Sequence, residues 1–302
     1  MSVETTGNFP KLLWPGLNAV WGSNYTDHEK EWIHLFEQQG SEMNYEEDVE
    51  EPGYGLVPIK PQGQSITYTS TQQQTVTRYT HVAYGMGFIV TREEMDDNLY
   101  LKRGVGRAKK LARSFRLTKE TVAANVYNRA QTSGYNGGDG VVLSSTAHPT
   151  LSGNQSNRLA TAADFSEAAL EDLCIQIMGA VDSVGLLIKL QPKTLLIPRQ
   201  LVFEAERVLK SMLQNDTANN AVNALRSTGM IPAVKMNHFF TDEDAFFIRT
   251  DAPDGMKMFN RVPAEFAQDG DFDTSNAKYK GYERYSVGWS DFRGLYTNGM
   301  GA

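Results

Sequence analysis

TREEMDDNLYLKRGVGRAKKLARSFRLTKETVAANVYNRA, residues 91–130, is the stretch that decides the architecture. Its opening, Thr91-Arg92-Glu93-Glu94, is a capping box: the threonine hydroxyl satisfies a free N–H of the first turn and the glutamate reaches back to the cap. Asp96 and Asp97 add negative charge at the positive end of the helix dipole. Met95, Leu99, Ala108, Leu111, Phe115, Val122 and Val126 then recur at helical spacing. One helix of up to forty residues is predicted. Gly104 and Gly106 each weaken its middle by about 1 kcal/mol relative to alanine, so a bend is expected there. Lys102, Arg103, Arg107, Lys109, Lys110, Arg113, Arg116 and Lys119 lie on it with no acid among them. This basic stripe is either a solvated face or a contact for phosphate or for an acidic segment, the six acids within residues 42–51 being the obvious candidate.

Upstream, residues 54–90 are rich in Thr, Gln, Tyr and Val. Residues 65–68 (SITY) and 75–79 (TVTRY) flank a polar tip of Thr69, Ser70, Thr71, Gln72, Gln73 and Gln74, which predicts two strands and a hairpin. A bare two-stranded ribbon is marginal in water. It needs a surface to lie on, in its own chain or in a neighbouring subunit. Residues 1–53 place apolar anchors (Trp14, Leu17, Val20, Trp21, Trp32, Leu35, Phe36) ahead of the acids and do not read as the start of a compact domain. Trp32, Leu35 and Phe36 suit one short amphipathic helix.

Downstream, residues 134–140 (GYNGGDG) are a loop, and a helix is predicted over about 164–184 with Gly185 as its stop. Residues 194–197 read as a buried strand ended by Pro198, and 201–213 as another helix. The polar loop of Asn215, Asp216, Thr217, Asn219 and Asn220 follows. Residues 246–248 and 256–259 read as a hairpin turning at Ala252-Pro253-Asp254-Gly255. In 277–296 the glycines and the Tyr285, Val287, Trp289 alternation favour strand over helix.

Composition removes several classes of function. With 40% apolar residues the chain has a real core, and its formal charge of 29 − 36 = −7 has the wrong sign for coating nucleic acid globally. No run approaches a membrane span, and the first thirty residues lack a basic region followed by a hydrophobic one. A single cysteine, Cys174, excludes an intrachain disulfide framework and shares a helical face with Leu170, Ile177 and Met178. Gly104-Val105-Gly106 lacks the third glycine and the preceding strand of a phosphate loop. Asp269, Asp271 and Asp273 imitate a calcium loop, but Thr274 and Lys280 stand where glycine and glutamate are needed. Ser145 and His148 lack a nucleophile elbow, and the other histidines (His28, His34, His81, His238) are scattered singly. No catalytic, metal or cofactor site is expected.

Three phrases carry a family likeness. They are GYGLVPIKPQGQSITY with YTHVAYGMGFIVTREEMDDNLY, then LSSTAHPTLSGNQSNRLATAADFSEAALE, and finally FAQDGDFDT with RYSVGWSDFRGLY. In this order they resemble tailed-bacteriophage major capsid proteins related to the head subunit of Mu-like phages. The resemblance covers most of residues 45–302. It implies an α+β capsid fold of the Hong Kong 97 type: N-terminal arm (1–53), extended hairpin loop (54–90), peripheral domain with spine helix (91–164), axial domain (165–262) and a C-terminal return to the peripheral domain (263–302). It further implies pentamers and hexamers in an icosahedral shell around double-stranded DNA, assembled in the bacterial host cytoplasm, with loop 215–220 near the capsomer axes. A separate scaffolding protein and portal are expected partners, with non-specific DNA contact and no membrane. The tip 69–74 holds no lysine, so the covalent crosslink of some relatives is not expected. An encapsulin-like shell would share the fold, and an enzyme is the different-class alternative.

Overall fold

A computed structural model describes residues 14–97, 100–214, 221–271 and 275–300. The chain enters through α1 (Trp14–Thr26) and α2 (Trp32–Leu35). They are followed by β1 (Glu37–Gly40), β2 (Tyr45–Val49), β3 (Val76–Thr80) and β4 (Val82–Val90). The predicted long helix is two helices, α3 (Arg92–Asp96) and α4 (Tyr100–Asn128). Thr91 caps α3 by accepting the Glu94 N–H at 3.3 Å. The Glu94 carboxylate does not complete the capping box, because it forks onto the Arg107 guanidinium at 2.8 and 2.9 Å. Thirteen residues of continuous helix would separate these two by about 20 Å. The ion pair therefore demands the break after Asp96, and α4 runs unbroken through Gly104 and Gly106, where a bend was expected.

The buried face of α4 (Ala108, Leu111, Ala112, Phe115, Ala123, Ala124, Tyr127) lies on a four-stranded sheet ordered β1-β10-β11-β4. β10 (Met256–Gly270) and β11 (Ala277–Trp289) are its long antiparallel pair, with irregularities between Asn260 and Glu265. The helix comes close because Gly281 of β11 has no side chain: a Cβ there would stand 2.6 Å from the Phe115 ring. Apolar anchors of the N-terminal segment pack in this layer. Trp21 stacks on Phe266 at 5.6 Å and meets Phe115 edge-on, Trp32, Leu35 and Phe36 enter the core, and β1 runs parallel to β10.

The second sheet, ordered β12-β9-β7-β8, is built from β7 (Pro192–Pro198), β8 (Val234–Asn237), β9 (Phe246–Thr250) and β12 (Leu295–Asn298). Its core takes in α5 (Glu167–Met178) and residues of α6 (Val202–Lys210) and α7 (Ala224–Thr228). A small hairpin, β5 (His148–Thr150) with β6 (Gly153–Gln155), precedes α5. α5 stops at Gly179, not near Gly185, because the Asp182 carboxylate takes the N–H groups of Val184 and Leu186 and turns the chain back. Cys174 is buried in this core as expected.

Two sequence expectations are corrected here. Residues 246–248 and 256–259 are not a hairpin, since β9 and β10 belong to different sheets and the turn at 252–255 carries the chain between them. Of the C-terminal segment, β11 lies in the first sheet and β12 in the second, and β10 runs continuously through residue 262. The second correction is that residues 65–68 carry no strand. The ribbon pairs β3 with β2, Tyr45 opposite Thr80 and Val49 opposite Val76, and residues 51–75 form an excursion without a ladder. Pro52, Pro58 and Pro61 on the outgoing limb remove the donors a ladder would need.

A Cβ at Gly104 or Gly106 meets nothing within 4 Å. Replacing each with alanine is expected to stabilise the isolated subunit by about 1 kcal/mol, raising the unfolding midpoint in urea; an unchanged midpoint would count against the unbroken helix.

Candidate assembly interface

Residues 53–73 are exposed throughout. Val57, Ile59 and Tyr68 are each more than 90% accessible, and Leu56 nearly so. Among the described residues, the one backbone hydrogen bond inside this stretch joins the Gln64 N–H to the Pro61 carbonyl at 3.2 Å, next to Gly63 with φ 82°. The excursion turns there. The sequence-predicted tip, Thr69, Ser70, Thr71, Gln72, Gln73 and Gln74, is therefore its returning limb, and the Gln74 N–H donates to the Glu50 carbonyl at 3.0 Å.

The foot of the excursion is densely bonded by contrast. Asp48 on β2 accepts from the Lys257 ammonium at 2.6 Å and from Ser290 at 2.5 Å, and Ser290 also meets the Tyr79 hydroxyl at 2.6 Å. Lys257 reaches Asp254 as well, at 2.5 Å. Burial opposes the lysine charge, but the hydrogen bonds to Asp254 and Asp48 outweigh it and hold the pKa above the ordinary value. Glu50 accepts from Thr75 at 2.9 Å and bonds to Ser183 beside the second sheet. Glu47 pairs with Arg78, whose guanidinium also covers the Tyr45 ring at 4.3 Å. The loop 134–140 closes on the same foot: a Cβ on Gly138 would stand 2.5 Å from the Thr77 hydroxyl. A cavity of about 320 Å³ between Asp48, Glu50, Asp182, Asp291 and Arg293 joins the foot to the second sheet.

The basic stripe is dispersed. Arg103 and Arg107 turn to Glu94, Arg116 donates to the Asn24 carbonyl at 3.4 Å, and Lys119 is buried against Glu283. The side chain of Lys102 lies outside the described residues. Lys109, Lys110 and Arg113 remain exposed, with no ion pair among the described residues. The acids of 42–51 expected to face them are largely engaged within the subunit, through Glu46 with Ser41, Glu47, Asp48 and Glu50. Asn215, Asp216, Thr217, Asn219 and Asn220 lie outside the described residues; Leu213 and Val222 bridge at the two ends of that loop.

No reactive constellation forms among the described residues. His148 is fully buried, 2.6 Å from Asp139 and flat on the Phe292 ring at 3.9 Å, while Ser145 caps its own turn through the Ala147 N–H. Burial pushes the Cys174 thiol up to about 11, which leaves it protonated and inert. Asp271 is paired with Lys278; Asp273 is outside the described residues. No group of three or more His, Cys, Asp or Glu could hold a metal ion, and no helix is long and apolar enough to cross a membrane, among the described residues.

A spine helix across one sheet, a second sheet with its own helices and a long unsupported excursion define a capsid subunit of the Hong Kong 97 type, and solved structures agree. The virus-like particle from Pyrococcus furiosus superposes with a TM-score of 0.55 at 10% identity, covering 94% of this chain and 98% of that one. The capsid of a native gene transfer agent (GTA) particle gives 0.56 at 13% identity over 90% of each. Mycobacterium phage Patience gives 0.53 at 9% identity over 98% of this chain and 88% of that one. A family model described as phage capsid protein matches residues 74–298, and the chain belongs to that family. No curated protein matches it. Family and fold together make it a major capsid protein, a structural subunit of an icosahedral virion head and not an enzyme.

Lys257→Met leaves Asp48 and Asp254 without their shared cation and is expected to cost on the order of 2 to 3 kcal/mol. The urea midpoint should fall, and limited proteolysis should cut within 45–80 faster than in the parent.

Proposed function

We propose that the excursion 51–75 is the principal docking element of the shell, lying across a neighbouring subunit. The observation that carries this is the combination of exposed Leu56, Val57, Ile59 and Tyr68 with a backbone almost without hydrogen bonds. Exposure of such side chains to water costs about 25 cal/mol per Å², and none of the described residues of the same subunit covers them. Thr69, Ser70, Thr71, Gln72, Gln73 and Gln74 then contribute polar contacts from the returning limb. The subunits would associate as pentamers and hexamers, with the first sheet and α4 as the peripheral unit and the second sheet as the axial unit. Loop 215–220 at the axial tip is part of this reading. A separate scaffolding protein and a portal would act with it in the bacterial host cytoplasm, and the sequence likeness favours a Mu-like subgroup.

Because β3 belongs to the foot, the decisive deletion spares it. Replacing residues 53–73 with a short glycine-serine link is expected to leave a folded subunit with the parent circular dichroism but no shells in negative-stain images. Normal shells from this variant would overturn the docking role.

Lys109, Lys110 and Arg113 give the second contact. In a chain of net charge −7 they form an exposed cationic patch that fits an acidic surface of a neighbouring subunit better than packaged DNA, which must slide past the inner wall. Reversing all three to glutamate is expected to reduce assembly before any DNA enters. Empty shells forming at the parent yield, with packaging alone impaired, would assign the patch to DNA, whose binding weakens steeply with salt.

A further inference from the structure

The strands at the sheet edges of this subunit differ in kind. β1, β8 and β12 have four residues each, with Glu37 on β1, Lys235 on β8, and β12 buried throughout. β4 is the exception. It runs for nine residues, VAYGMGFIV, with no charge and no proline, and it is bonded to β11 on one side alone. An open edge of that length and polarity is a template for a further strand, which soluble proteins blunt with charge, proline or a short run. Among the described residues, no backbone group between Val82 and Phe88 is bonded outside the β11 ladder. At Ile89 the Arg107 guanidinium donates to the carbonyl at 3.1 Å. Val82, Tyr84, Met86 and Phe88 share the sheet face that looks to α4, and there Tyr84 and Phe88 stack on Tyr285 and Tyr279 at 4.7 and 5.0 Å. Met86 lies opposite Gly281, yet it and Val82 are more than half exposed, because the layer ends at this strand. On the other face Gly85 and Gly87 leave a hollow of about 530 Å³ against Ala267 and Tyr282. Glycines in a strand let a second backbone come close.

We propose that the open edge of β4 receives the returning limb of a neighbouring subunit's excursion, residues 64–71, as an added strand. This rests on the docking role proposed above and names the surface that the limb meets. The limb reads QSITYTST, without proline, and its Ile66, Thr67, Tyr68, Thr69 and Thr71 are residues of a pleated, half-buried surface. It has the composition of a strand and no ladder in its own subunit. Ile66 and Tyr68 are exposed and two residues apart, so they share one face once the limb is extended. On the α4 side they become cross-strand neighbours of Val82 and Met86, and Ser65, Thr67 and Thr69 turn to the hollow over Gly85 and Gly87. The Gln74 N–H donates to the Glu50 carbonyl and the Glu50 N–H to the Thr75 carbonyl, so the limb leaves from the end of β3 remote from β4. The edge it joins is therefore another subunit's. Main-chain hydrogen bonds then supply the affinity, and the alternating side chains set the register.

Thr67→Pro combined with Ser70→Pro tests the added strand. The two positions have opposite parity, so one of them must donate to the edge in any register, and proline removes that donor. Ile66 and Tyr68 stay in place. Neither N–H has a backbone partner among the described residues, so the variant is expected to keep the parent circular dichroism. It is expected to form no shells in negative-stain images, while Thr67→Ala with Ser70→Ala assembles as the parent does. Shells at the parent yield from the proline variant would overturn the strand addition, and failure of the glycine-serine replacement alone would leave the docking role standing. Assembly of both variants would remove the docking role as well. Amide hydrogen exchange of the parent gives a second measurement. From dissociated subunits to shells, protection is expected to rise roughly 100-fold both in residues 64–71 and at alternate residues of 82–88. Protection of 64–71 without β4 would put the limb on another surface, and protection of β4 without 64–71 would give the edge to another occupant, such as a second β4. Either result overturns the proposal.

Discussion

Two glycines touching back to back hold the architecture together. The chain passes between its two sheets at 252–255 on the way out and at 290–294 on the way back, and the two passes meet where Gly255 faces Gly294. A Cβ on Gly294 would stand 2.4 Å from the Gly255 Cα, and one on Gly255 2.8 Å from the Gly294 Cα. The passes are also bonded to each other: the Ser290 N–H donates to the Gly255 carbonyl, the Asp291 N–H to the Asp254 carbonyl, and the Thr250 hydroxyl to the Arg293 carbonyl. Any side chain at the crossing would wedge the sheets apart. Lys257, just past this junction, reaches Asp254 in the turn and Asp48 in the foot of the excursion, so the excursion takes its direction from the same point.

How far the fold could be read from the chain varies with the range of the interaction. Helices and buried strands were legible because their periodicity is local: the strand near 194–197 and the Tyr285, Val287, Trp289 alternation both stand as strands. Pairing partners were not legible. Val76–Thr80 is a strand as its Thr, Val and Tyr content suggests, yet its partner is the acidic stretch Tyr45–Val49, whose charges hid its strand character. There Glu47 faces outward to Arg78 and Asp48 inward to Lys257. The turn at 252–255 was recognised for its chemistry and misread for its role, since a turn has the same local signature whether it closes a hairpin or carries the chain between sheets.

The proposed assembly surface shows the same division. Exposed Leu56, Val57 and Ile59 stand among prolines and glycines and give no periodic signal, whereas the polar run 69–74 carries the local signature of a turn although the chain turns at 61–64. Likewise the eight basic residues of α4 look alike in sequence. Distant acids sort them: Glu94 takes Arg103 and Arg107, and Glu283 takes Lys119. Among the described side chains, Lys109, Lys110 and Arg113 are left exposed without an ion pair. Lys257 carried one small signal, a lysine between two methionines at 256–258, which places a charge in a buried strand and so requires a carboxylate nearby.

The proline-interrupted excursion has a consequence for the accuracy of assembly. A segment of some twenty residues with no ladder of its own gives up about 1 kcal/mol or more of backbone entropy for each residue it orders. This offsets much of what its apolar side chains gain. On the docking role proposed for it, each contact would be weak by itself, and permanence would come only when many are made together in a closed shell. A subunit that docked in the wrong orientation would make too few contacts to stay. The same lack of internal pairing would let one sequence follow the slightly different surfaces of a five-membered and a six-membered ring.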